Sequence, residues 1–179
     1  PLRVEKREKG VMGRDGTETK RNVNFPVWIE PKAAGLTPMC EALDLATTYL
    51  RKWLNFHPEC LPPIVFNISD GESSDGNPYR AAEELTGLKS KDGNTLLFNL
   101  FVSGVSTRSI EYPSSEKELD DDYAKLLFAI SSPLTNYMAN ILSADGYKIK
   151  PNARGFVFNA DFDAIIRFLD IGTRPSKLN

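Results

Sequence analysis

The chain has 179 residues, of which 41% are apolar and 26% charged, with a formal net charge of -2. That is enough chain for one domain with a proper core, and the composition is that of an ordinary soluble globular protein. No bulk basicity argues for nucleic acid or an anionic membrane surface, and no apolar run reaches the roughly 18–20 residues that cross a bilayer. Two cysteines, Cys40 and Cys60, make neither a disulfide framework nor a zinc motif, so both are expected as free thiols in a reducing cytosol.

Residues 2–30 predict a β-hairpin. Val23, Phe25, Val27 and Ile29 alternate with polar or bulky neighbours at period two, and Leu2 and Val4 begin a weaker partner strand. Between them Gly10, Gly13 and Gly16 are spaced GxxGxxG. No Gly-Lys-Ser/Thr follows, so this reads as a hairpin tip and not as a phosphate loop. The spacing then predicts a helix from Pro38 to Asn55, with Thr37 as its N-cap and Pro38 as its first residue. Leu43, Ala46, Leu50 and Trp53-Leu54 form its buried stripe. His57, the only histidine, falls at the end of that helix, where a solvated terminus is the simpler reading than a metal half-site.

Pro58, Pro62 and Pro63 stop the helix and lead into Ile64–Ser69, which reads as a strand buried on both faces. Its tip, Asp70, lies where open α/β sheets bind ligands. A polar loop runs on through Glu72, Ser73 and Ser74. A helix is predicted from Pro78 to Thr86 with Gly87 as its C-cap, then an apolar strand over Leu96–Val102. A crossover of this length makes the two strands parallel. The Asn67-Ile-Ser69 sequon lies inside a predicted strand and is rejected.

Residues 105–150 read as a mostly helical insertion, opened by a Ser115/Glu118 capping box. The acidic run Glu116–Asp122 is read as a solvated first turn that complements the helix dipole, in preference to a cation site. A third strand covers Gly155–Ala160. Asp161 then caps a final helix that Gly172 closes. These elements make an α/β domain: a mainly parallel, Rossmann-like sheet with helices on both faces and a hairpin edge. Its C-terminal edge carries Thr37, Asp70, Glu72, Ser73 and Ser74, with Asp161 as a further acid. Such hard oxygen donors suit Mg²⁺ or Mn²⁺ better than zinc.

Gly35-Leu-Thr-Pro-Met39, a helix, and a strand ending Asn67-Ile-Ser-Asp-Gly-Glu72 resemble the von Willebrand factor A (vWA) domain family, most closely its bacterial intracellular members. The run Arg154–Asp161 followed by Arg167–Thr173 has the same look. The resemblance implies a single vWA-like domain over residues 1–179 and a metal-ion-dependent adhesion site. In that site Thr37 and Asp70 would be magnesium ligands, and Glu72, Ser73 and Ser74 would meet a partner protein. The partner would present an acidic residue to the ion, and kinases, phosphatases and AAA+ ATPases are the company such proteins keep. The Asp-x-Ser-x-Ser segment that supplies further ligands in this family is absent here, so the sequence reads as a domain truncated at its N-terminus. Asp70 could instead serve a Mg²⁺-dependent phosphohydrolase as nucleophile, but such enzymes want Asp-x-Asp and position 72 is glutamate. A third reading is a metal-independent scaffold that binds through residues 105–150.

Overall fold

The computed structural model describes residues 1–12, 18–30, 35–70, 72–102 and 108–173. The chain divides into two compact units, Pro1–Gly35 and Leu36–Asn179. The first is the expected hairpin. Strands β1 (Arg3–Met12) and β2 (Glu18–Val27) pair antiparallel in the register Arg3↔Val27 to Met12↔Glu18. Arg7 stacks on Phe25 with its guanidinium 3.9 Å from the ring centre. Of the glycine-rich tip, residues 13–17 lie outside the described residues.

The second unit is a mixed α/β domain. Its elements are α1 (Met39–Phe56), β3 (Ile64–Ser69), α2 (Tyr79–Thr86), β4 (Lys89–Ser90), β5 (Gly93–Asn94), β6 (Leu96–Phe101), β7 (Ile110–Glu111), α3 (Asp122–Ile130), α4 (Asn136–Ala144), β8 (Phe156–Phe158) and α5 (Phe162–Thr173). The main sheet has the order β3-β6-β8-β7; β3, β6 and β8 are parallel and only β7 is antiparallel. Among the described residues no helix is long and apolar enough to cross a membrane.

Strand β6 explains the two-layer packing. Leu97 and Phe101 enter one core with Met39, Leu85, Leu127 and Phe156, while Phe98 and Leu100 enter the other with Val157, Leu142 and Phe168. Successive side chains point to opposite faces, so a strand covered on both sides must be apolar throughout. Helices α1, α2 and α3 cover the first face, and α4 and α5 the second. The stretch expected as a helical insertion is therefore woven into both cores.

Strand β3 departs from expectation. Among the described residues it has a strand neighbour, β6, on one side only, and Ile64–Asn67 are half-buried where full burial was expected; Ile68 is 54% exposed. Trp53, expected in the buried stripe of α1, is 51% exposed, while Leu43 and Leu54 are buried. Gly172 does not end α5. It lies inside the helix where it meets β3: a Cβ there would stand 2.3 Å from Cζ of Phe66. Gly87 follows α2 in the right-handed region, so it needs no glycine geometry.

A polar chain crosses the interior. The amide of Asn67 donates to Oδ1 of Asn99 (2.8 Å), and that of Asn99 donates to Oγ of Ser131 (2.9 Å) and the carbonyl of Leu127 (3.3 Å). Asn99 is fully buried, and these bonds are what make its burial tolerable.

Candidate functional site

The C-terminal ends of the parallel strands present the polar edge that the sequence pointed to. Strand β3 closes on Ser69, whose carbonyl accepts from the Val102 amide at 2.9 Å, and the next residue, Asp70, is exposed at the tip. The loop then folds back over the start of α1. The Ser74 amide donates to the Thr37 carbonyl at 2.9 Å, which ties the two loops together through the main chain.

Thr37 does not cap α1. Pro38 occupies the N-cap position and its side chain makes no capping bond. Asp75 performs that role from across the sheet edge. Its carboxylate accepts from the Cys40 amide (3.0 Å) and the Glu41 amide (2.9 Å) and is held by the Ser73 hydroxyl (2.8 Å). A carboxylate on the free amides of a helix start satisfies orphan donors and complements the dipole. The Glu41 amide foremost, with help from Cys40 and Ser73, holds the Asp75 carboxyl far below its ordinary value of 3.8.

This arrangement makes a pH prediction. A group whose folded pKa is depressed stabilises the fold above its unfolded value and stops doing so as pH falls through the folded one. Asp75→Ala is expected to lower the thermal midpoint by about 2–4 °C at pH 7. The gap to wild type should shrink as pH drops below 3.8. Thr37→Ala removes no capping bond and serves as the control; circular dichroism melts at several pH values read both.

The other site residues fall into place around this cap. Ser73 is half-buried with its hydroxyl 3.8 Å from Sγ of Cys40, and Glu72 and Ser74 are exposed. Burial pushes the Cys40 thiol up, with Asp75 and Asp44 adding to the effect, so it is no ready thiolate. Tyr123 of α3 reaches in beneath, its hydroxyl 3.4 Å from Sδ of Met39; burial raises its pKa first, and the nearby Glu72 charge raises it further. Asp161 acts as the cap that was expected, accepting from the Ala164 amide at 2.8 Å. His57 stacks on Trp53 at the far end of α1, 3.8 Å between ring centres, and contributes nothing here. Sequence reasoning missed Asp75 and Tyr123, because their partners lie in other elements: the Asp75 to Cys40 bond spans 35 positions.

The acidic run beyond the edge is spoken for. Glu118 closes a capping box with Ser115 over a 3-10 turn (Glu116–Glu118) and pairs with Lys150; Asp121 caps α3 through the Ala124 amide; Asp122 pairs with Lys125. Cys40 and Cys60 are both free thiols.

Thr37 and Asp70 are hard oxygen donors, right in kind for Mg²⁺ but short in number for its octahedron. The Asp75 carboxylate is committed to α1, and among the described residues no group of three His, Cys, Asp or Glu side chains could hold a metal. These residues do not by themselves make a magnesium cage. What the edge offers is a rim of hydroxyls and carboxylates, with the chain's single histidine, His57, at the other end of α1. No family model, curated protein or solved structure matches the chain.

Proposed function

We propose that this chain is a non-enzymatic protein-interaction module of the vWA type, whose binding edge is formed by residues 35–39, 70 and 72–75. The observation that carries the reading is the main-chain bond from Ser74 to Thr37, which holds the two loops as one surface at the ends of the parallel strands. Thr37 and Asp70 are two donors of a Mg²⁺ site that is completed by donors outside this set. The ion would supply a positive centre for an acidic residue of the partner protein, with Glu72, Ser73 and Ser74 around it. Free, partly covered thiols fit a cytoplasmic setting.

Paramagnetic NMR tests the site directly. Mn²⁺ added to labelled protein should broaden the amide signals of residues 35–40 and 72–75 before all others, and excess Mg²⁺ should reverse this. Asp70→Ala should abolish the selective broadening. Broadening centred on residues 116–122, or none at all, overturns the metal edge. Turnover of an aryl phosphate with Mg²⁺ would overturn the non-enzymatic reading.

A further inference from the structure

The other end of the sheet, away from Thr37 and Asp70, carries a second concave site. Strand β6 begins there at Leu96, with Thr95 just before it, and helices α2 and α3 end beside it at Thr86 and Ile130. Between them lies a cleft of about 390 Å³, walled by α2, the start of β6, the segment 131–133 and Arg154. Every wall belongs to the second unit. Helix α2 stands between this cleft and α1. Tyr79, Ala82 and Glu83 line the cleft, whereas Arg80, Ala81 and Glu84 turn to the α1 side.

Three polar side chains in these walls have bonding capacity that the fold does not use up. Thr95 is 1% exposed, and its Oγ1 finds no hydrogen-bond partner among the described residues. Buried hydroxyls are nearly always paired, so an orphan in the lining of a cleft points to a group from outside. Ser132 is 8% exposed and its Oγ accepts from the Leu97 amide at 2.9 Å; a hydroxyl that accepts one bond still has its proton to give. Arg154 is half-buried and fixed. Its Nη1 donates to the carbonyls of Ala129 (3.2 Å) and Ser131, and its Cζ lies 5.3 Å from the centre of the Phe128 ring. These contacts satisfy orphan carbonyls at the end of α3 and hold the plane of the guanidinium in the cleft wall.

We propose that this cleft binds a small organic monocarboxylate. A guanidinium held in a fixed plane takes a carboxylate through two parallel N–H bonds, and the Thr95 and Ser132 hydroxyls are donors for the same group. Ala82, Ile130 and Pro133 supply an apolar wall for a short hydrocarbon body. The volume is at the small end of ligand pockets, which span roughly 300–1,000 Å³. The ligand carries one negative charge only. Glu83, exposed at the mouth, is the one acid among the described lining residues, and the C-terminal ends of α2 and α3 add negative potential. Arg154 offsets one such charge; a phosphate dianion would bring a second. The site does not depend on the metal edge at the other end of the sheet.

Titration of isotope-labelled protein with sodium benzoate, followed by NMR, tests this. The amide signals of Thr95, Leu97, Ser132 and Arg154 should shift first and saturate, with a Kd on the order of 1 mM. Thr95→Val should weaken binding about fivefold and leave the melting temperature unchanged or higher, because a methyl group of similar shape replaces an unpaired hydroxyl. Arg154→Gln should weaken binding at least about tenfold. Benzamide and inorganic phosphate should each bind at least about tenfold more weakly than benzoate. No saturable shift at about 50 mM benzoate overturns the proposal. So does an affinity indifferent to Thr95→Val and Arg154→Gln, or equal binding of benzamide or phosphate. A lower melting temperature in Thr95→Val would show the hydroxyl already paired within the fold, and overturns it as well.

Discussion

Gly155→Ala is expected to destabilise the protein by about 3 kcal/mol, read as a fall in the urea midpoint at unchanged slope. The added Cβ would stand 2.2 Å from Cδ1 of Phe98, far inside contact distance. Neither side can give way. The Gly155 amide donates to the Ser132 carbonyl and its own carbonyl accepts from the Asn99 amide, both at 2.9 Å, so the backbone is pinned on both flanks. Phe98 is fully buried and meets Phe66 edge-on, with ring centres 5.9 Å apart, and Phe168 at 5.8 Å. A loss below about 0.5 kcal/mol would mean that the ring has somewhere to go, and that this face of the sheet is packed loosely.

Asn99 carries the second large effect. Asn99→Ala removes a side chain on which the Asn67 amide and the Ser131 hydroxyl both rely, and leaves a cavity, at a cost of about 3 kcal/mol. Asn99→Asp separates the polar term from the packing term. A carboxyl in that buried position faces the Leu127 carbonyl and no cation, so its folded pKa is raised. The sign follows: the variant is near its most stable below the unfolded carboxylate value. It then loses about 1.4 kcal/mol per pH unit above that value until the folded group ionises. Denaturation at pH 4, 5.5 and 7 should show a widening gap to wild type. A gap constant with pH would place water at Asn99.

The strands were legible because their burial is symmetric. Leu96–Phe101 sends side chains into both cores, as its apolar run predicts. Ile64–Ser69 is a similar run but, among the described residues, has only one strand neighbour. Composition reports what a strand can be covered by; the presence of that cover is a tertiary fact, which is why the expected burial of Ile68 failed. The helix beginning near Thr37 was found from local chemistry, yet its cap was assigned to the wrong residue. Threonine before Pro-Met is a sound local cap, but Asp75 supplies a full charge from another loop and displaces it. The candidate site shows the same division. Thr37 and Asp70 were placed at one edge by periodicity and turn chemistry, whereas Tyr123 and Asp75 arrive by contacts that no sequence window contains.

The separation of the hairpin from the rest of the chain has a consequence in time. The pairing of β1 with β2 can start between residues close in sequence, Met12 with Glu18, and extend from there to Arg3 with Val27. Hairpins of this kind close in about 1–10 μs. The parallel sheet has no such short route: Ile64 waits for Leu96, and Asn99 for Phe156. Pairings that must first close long loops are slow, on the scale of milliseconds to seconds. During that interval the hairpin forms and reforms many times before the sheet is complete. A temperature-jump experiment on this chain should therefore show an early microsecond phase belonging to the hairpin, well ahead of the phase that buries Phe98 and Phe168.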